Sequence, residues 1–181
     1  MHWKNQASIL RGWSLAELGH VDDGLNQMRA GLEAYEAMDS WLASCWFRSL
    51  LANAYSRADR PDAALRALDD ALAIAQRTGD HFYLAEIYRL QGEITFAQGG
   101  TTAAEDAEDC YNRSLEVARK QKSLSWELRT SVSLARLWRG FGKRQQAADL
   151  LFPIGSKFSE GFLTRDVKEA LELMNELRPS S

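Results

Sequence analysis

Small residues return along this chain with a period close to that of a pair of packed helices. Gly12, Ala52, Gly92 and Ala135 follow one another at intervals of 40, 40 and 43 residues, and each stands seven positions ahead of Gly19, Asp59, Gly99 or Gly142. The strings around those later positions, Leu18-Gly19-His20, Ala58-Asp59-Arg60-Pro61, Gln98-Gly99-Gly100-Thr101 and Phe141-Gly142-Lys143, read as tight turns between helices. Glycine there closes a helix through its tolerance of positive φ, and Pro61 suits the first turn of the next one. After each turn comes a second small residue (Gly24, Ala64, Ala107, Ala147), a large one four positions on (Met28, Leu68, Tyr111, Leu151) and then Gly31, Ala71, Ser114 or Ile154. The spacing from first to second small residue is 12 in three units and 15 in the third, so the turn within residues 99–106 is lengthened while the repeat is kept.

The physical reason for such a register is that two antiparallel helices approach closely only where a small side chain stands at their crossing and a larger apolar one fills the gap beside it. Glycine inside a helix costs about 1 kcal/mol relative to alanine. Its presence at equivalent positions 12 and 92 implies close packing that offsets the cost. Apolar residues recur at helical spacing nearly throughout, and β-type alternation is almost absent. The expected fold is all-α: an α-solenoid of four helix pairs over residues 3–39, 40–79, 80–122 and 123–159, closed by a helix over 164–178, in one domain spanning 1–181.

That last helix reads as a cap. Thr164 can accept a hydrogen bond at its N-terminus, with Asp166 and Glu169 near the positive end of the dipole. Val167, Ala170, Leu171, Met174 and Leu177 form an inner stripe, and Lys168, Glu169, Glu172, Asn175 and Glu176 are expected to face water. The first helix opens with no such element, which makes its outer face a candidate homodimer surface.

Composition narrows the function. Lys plus Arg number 22 against 25 Asp plus Glu, a net charge of -3, so no general attraction to nucleic acid or to an anionic membrane is expected. Cys45 and Cys110 are the two cysteines, far apart and in no metal-ligand spacing, which fits a reducing, cytoplasmic setting. The N-terminus lacks the apolar run of a secretory leader. Gly142-Lys143 is followed by Arg144 rather than Ser or Thr, so no phosphate-binding loop is present. His2, His20 and His81 are scattered and read as surface histidines rather than metal ligands. His20-Val21-Asp22-Asp23 reads as a helix start. The carboxylates around Glu33 and Glu36, and those from Glu105 to Asp109, read as solvated faces. Neither a cofactor, a metal nor intrinsic catalysis is expected.

The register of small, Gly or Asp seven later, then small, large and small, resembles the tetratricopeptide repeat, over roughly residues 3 to 159. The usual period is about 34 residues, so these helices are longer by about a turn. The resemblance implies a right-handed solenoid that binds protein or peptide partners. Four further strings, Gly12-Trp13-Ser14-Leu15-Ala16-Glu17-Leu18-Gly19, Tyr88-Arg89-Leu90-Gln91-Gly92-Glu93, Ser133-Leu134-Ala135-Arg136-Leu137-Trp138 and residues Glu160 to Ala170, resemble the C-terminal region of bacterial regulators. In those proteins a class III nucleotide cyclase and an AAA-type ATPase precede a long repeat array. The alternative function is therefore the sensory or regulatory segment of such a signalling protein.

A partner would be received by the first helix of each pair. Counting from its small residue, positions six and three before and one and four after are expected to point into the groove. They are Gln6, Ile9, Trp13 and Ala16; Trp46, Ser49, Asn53 and Ser56; Glu86, Arg89, Glu93 and Phe96; and Arg129, Val132, Arg136 and Arg139. In this reading Trp13, Trp46 and Phe96 give apolar contact, and Arg129, Arg136 and Arg139 meet acidic groups. The same aromatics also fit packing between helices, and the arginines also fit pairs with Glu86 and Glu93. Of the six tryptophans, Trp3, Trp126 and Trp138 read as repeat packing, Trp41 lies near an inter-repeat turn with no role assigned, and Trp13 and Trp46 fall on the groove.

Overall fold

A computed structural model describes residues 2–39, 41 and 43–178. His2 has its side chain outside what is described. Among the described residues the chain forms nine helices and no strand: α1 (His2–Glu17), α2 (Val21–Glu36), α3 (Ser44–Arg57), α4 (Pro61–Thr78), α5 (Leu84–Gln98), α6 (Ala103–Lys120), α7 (Leu124–Gly140), α8 (Arg144–Gly155) and α9 (Arg165–Leu177). The chain divides into two compact units, Met1–Ile94 and Thr95–Ser181.

The turns fall where the spacing places them. Gly19, Asp59, Gly99 and Gly142 all have positive φ, and Pro61 opens α4. Asp59 adopts at φ 56° the left-handed conformation that glycine takes at 95° in the first turn; Asp is among the few residues that tolerate it.

In the first unit α1 and α2 meet backbone to backbone. A Cβ on Gly12 would lie 2.7 Å from the Gly24 carbonyl oxygen and 2.8 Å from the Met28 nitrogen, and one on Gly24 would lie 2.5 Å from the Gly12 oxygen. No other residue fits at this crossing. Around it Ile9, Leu25, Met28, Leu32 and Tyr35 form a core with Phe47, Leu51 and Ala54 of α3. The next layer joins Ala52 of α3 to Ala64, Leu68 and Ala71 of α4 and to Ile87, Leu90 and Ile94 of α5. The inter-repeat turn is pinned by Trp41, whose indole N–H donates to the Asp39 carboxylate at 2.7 Å while the Arg77 guanidinium stands 3.8 Å above its ring. This gives Trp41 its structural role.

In the second unit Tyr111 and Leu115 of α6 pack with Leu134 and Leu137 of α7, beside a buried 2.7 Å hydrogen bond between the Ser114 and Thr130 hydroxyls. Leu128, Val132 and Ala135 of α7 join Ala147, Leu151 and Ile154 of α8 and the inner stripe of α9. That stripe is Val167, Ala170, Leu173, Met174 and Leu177.

Several local expectations are corrected. Leu171, placed inward from sequence, is 38 % exposed, and Leu173 takes its place. The helical phase is set by which residues meet two neighbouring helices rather than by apolarity alone. Glu169, expected in water, is half-buried and ion-paired. The Thr164 hydroxyl donates backward to the Gly161 carbonyl at 2.7 Å and makes no side-chain cap to α9. His20 likewise supplies no side-chain cap to α2. Trp3 is 83 % exposed and joins no core cluster among the described residues, whereas Tyr83 and Trp126 at the equivalent positions are half-buried. Trp138 packs against two clusters as expected, but its indole N–H finds no partner among the described residues.

Candidate functional site

The first helices bury one expected groove row outright. Ile9, Ser49, Arg89 and Val132, each three positions before the small residue, are all buried. A first helix here meets more than its own partner, α3 touching α1, α2 and α4 and α7 touching α6, α8 and α9, so the solvent-facing arc is narrower than a lone helical wheel suggests. Ala16 is also buried. The row one position after the small residue reaches solvent in part: Trp13, Asn53 and Glu93 in the first unit are half-buried, and Arg136 in the second is exposed. The row six positions before it is half-buried in every repeat, with Gln6, Trp46, Glu86 and Arg129.

In the first unit the chemistry is aromatic and mixed. Trp46 stacks on Tyr83 with ring centroids 6.0 Å apart and planes inclined by 17°, and also contacts Phe47 at 5.1 Å. Trp13 is half-buried against the core of the first helix pair. Both indoles therefore join packing on one side and leave area to solvent on the other. Asn53 is half-buried at the row one position after the small residue, and its amide carries both a donor and an acceptor for an extended main chain. Gln6 is turned to the fold: its amide donates to the Tyr35 hydroxyl at 3.0 Å. Arg89, expected to face a partner, is 8 % exposed and held between Glu86, at 2.8 Å, and Glu93. A guanidinium buried in this way must be paired, because an unpaired buried charge costs several kcal/mol.

In the second unit Phe96 is exposed and meets exposed Phe141 edge to face, centroids 6.3 Å apart. The three arginines of α7 meet partners that sequence reading did not supply. Arg129 bridges both Asp166 oxygens, with N···O distances of 3.2 and 2.6 Å; Arg136 pairs with Glu169 at 3.0 Å; and Arg139 pairs with Glu176. Residue numbers rise together on both helices, so α9 runs parallel to α7, as the first helix of a following repeat would. Arg129 also lies 4.9 Å over the Trp126 ring. Burial works against the ionised form of Glu169, but hydrogen bonds from Arg165 and Arg136 outweigh it and hold the carboxyl below its usual range. Arg136 and Arg139 keep 46 % and 41 % of their side-chain surface exposed, so each retains N–H donors for solvent or a ligand.

The α9 contacts were hidden in the sequence because a carboxylate on a short C-terminal helix looks like ordinary solvated charge. The signal that was available is the repetition of Asp166, Glu169 and Glu176 along one edge. No group of three His, Cys, Asp or Glu residues is arranged to hold a metal ion among the described residues, and no described helix is long and apolar enough to cross a membrane.

Comparison with known proteins places this geometry. The Tetratricopeptide repeat family matches residues 43–108. No curated protein sequence is significantly similar to the chain. Among solved structures, one described as a Podosopora anserina kinesin light chain with nearly identical TPR-like repeats superposes with a TM-score of 0.71 at 16 % identity, covering 98 % of this chain and 86 % of that one. A point variant of the same protein gives 0.72 at 16 %, covering 96 % and 84 %. BtubC (BKLC) from P. vanneervenii gives 0.63 at 15 %, covering 97 % and 81 %. The fold is thus an all-α array of TPR-like helix pairs, of the α-solenoid class, with a C-terminal helix. Repeats of this kind typically serve as protein-interaction scaffolds.

Proposed function

We propose that this chain is a cytoplasmic protein-binding scaffold that takes a partner segment on the open faces of its first helices, without chemistry of its own. The observation that carries this reading is the row Trp13, Asn53, Glu93 and Arg136, half-buried at its first three positions and exposed at the last. Each first helix presents at this one register position a large, polar or charged side chain rather than the small or aliphatic residue that packing alone would select. Trp46 in the first unit and Phe96 in the second add exposed aromatic area, the side-chain type that anchors interfaces. Glu86 and Arg89 set the local charge around Glu93, and Arg129 and Arg139 do so around Arg136. Reading the chain as the sensory segment of a cyclase or ATPase regulator draws no support from the family or the structures above.

Affinity capture from native lysate tests the proposal, with Asn53→Arg and Arg139→Glu as variants because both sites lie outside the packed core. The expected result is loss of the captured partner from at least one variant while both keep the helical content of the unaltered chain, with a melting temperature slightly lowered in Arg139→Glu by loss of the Glu176 pair. Undiminished capture by both would place the partner elsewhere.

A further inference from the structure

The two inter-repeat turns of the first unit share a short pattern, an aspartate followed two places on by an aromatic residue: Asp39 with Trp41, and Asp80 with Phe82. In the first turn the carboxylate accepts from the Trp41 indole N–H, and the Arg77 guanidinium lies 3.8 Å above the ring. The second unit builds a similar trio from other elements, with Arg129 4.9 Å over Trp126 and bonded to the Asp166 carboxylate. Twice, then, the fold gathers an aromatic ring, a carboxylate and an arginine in one place. The guanidinium suits both partners, since its plane stacks on a ring while its edge donates to a carboxylate.

At Phe82 the ring and the carboxylate stand without the arginine. The Asp80 carboxylate accepts from the Phe82 backbone N–H at 3.3 Å, which holds the two residues side by side. Among the described residues Asp80 has no cationic partner and no cation stands over Phe82. His81 between them carries no formal charge at pH 7. The counterpart of Arg77 in the next second helix is Lys120, each thirteen places after its small residue, and Lys120 pairs with Glu116 of its own helix at 2.7 Å.

Packing does not explain Phe82 either. It is 63 % exposed and joins no core cluster among the described residues. Its ring meets Tyr83 edge to face at 4.9 Å, and Tyr83 stacks on Trp46, so an aromatic strip leads from the first-helix face to Phe82. The surroundings favour a cation. Residues 1–94 carry 13 Asp plus Glu against 9 Lys plus Arg, whereas residues 95–181 carry 12 against 13. Burial and then the charge of Asp80 raise the Tyr83 hydroxyl above its ordinary value, so the field of this carboxylate reaches the strip.

We propose that Phe82 and Asp80 take an arginine side chain of the partner segment, its guanidinium stacked on the Phe82 ring and bonded to the Asp80 carboxylate. This rests on the reading that a partner segment lies along the first helices, and it gives that segment a basic residue where it passes the start of α5.

The test uses the full chain at neutral pH and a short peptide of serines and leucines with one central arginine, beside a twin carrying citrulline, which keeps the shape and loses the charge. Titration followed by NMR is expected to move the amides of Asp80, His81 and Phe82 saturably, with the citrulline twin at least about fivefold weaker. Phe82→Leu removes the ring face and keeps an apolar side chain. Asp80→Asn removes the charge and keeps an acceptor for the Phe82 N–H. Each should weaken the arginine peptide about threefold or more and leave the citrulline twin unmoved, a selectivity that loss of folding cannot produce. The proposal is overturned by equal binding of the two peptides, by binding indifferent to both substitutions, by absence of saturable shifts, or by a self-association that Phe82→Leu abolishes, which would assign the ring to a second copy. Indifference to both substitutions, with the captured partner still lost from Asn53→Arg, removes the arginine site and leaves the scaffold reading standing. Binding that depends on Asp80, with capture undiminished in Asn53→Arg and Arg139→Glu, keeps the arginine site and removes that reading.

Discussion

The α1/α2 pair and the α7/α8/α9 trio solve the same packing problem by different means. In α1 and α2 the crossing is glycine on glycine, so the two main chains touch and no side chain intervenes. At the same register α7 and α8 use Ala135 and Ala147, both fully buried, and α9 adds a further apolar stripe. The pair is held by shape and tolerates no added atom. The trio is held by interdigitated side chains and, along one edge, by ion pairs between α7 and α9. A backbone crossing fails abruptly when something is inserted, whereas a side-chain contact weakens in proportion to what is removed.

Adding a side chain at the glycine crossing should therefore have the largest effect. Gly24→Val is expected to cost at least about 3 kcal/mol, because the new atoms meet main chain rather than a movable side chain. The converse change in the trio, Ala147→Gly, should cost only about 1 to 2 kcal/mol from helix propensity and lost burial. Urea denaturation of the two variants measures both, and equal losses would break the distinction.

Next comes the stripe of α9. Leu173→Ala is expected to cost about 2 to 3 kcal/mol, with hydrogen exchange accelerating first in α9, while the equivalent change at exposed Leu171 should stay within about 1 kcal/mol. A larger loss at Leu171 would contradict the observed phase of the helix.

The ion-paired edge is smaller still. The depressed Glu169 carboxyl contributes stability that is present above its ordinary value of 4.5 and is lost as pH falls through its lower folded value. Replacing it by glutamine should remove about 1 kcal/mol or less at neutral pH and flatten that part of the acid profile. An unchanged profile would assign the edge no role in holding α9. The smallest signal is chemical. Burial, with a smaller contribution from the charge of Asp80, pushes the Cys45 thiol up to about 11, so iodoacetamide at pH 8 should label it only in denaturant. Half-buried Cys110 should react earlier.

Much of this was legible in the sequence. The turns, the eight paired helices, the crossing residues and the need for a terminal helix follow from spacing and residue size, which act locally or between adjacent helices. The candidate surface was less so. Arg89 and Trp46 lie on the wheel positions that point toward a partner, but whether an arginine there is consumed by Glu86 and Glu93, or an indole by Tyr83, depends on where neighbouring helices put their side chains. The Arg129, Arg136 and Arg139 row reads as open basic surface until α9 is docked beside it.

By itself, then, the sequence determined the periodic scaffold, because residue size at a helix crossing and positive φ at a turn are properties of single positions. The tertiary structure alone decided which faces remain available: the buried row of the first helices and the carboxylates that meet the α7 arginines. The reason is that exposure and pairing belong to neighbours brought together from distant positions, and no single residue carries that information.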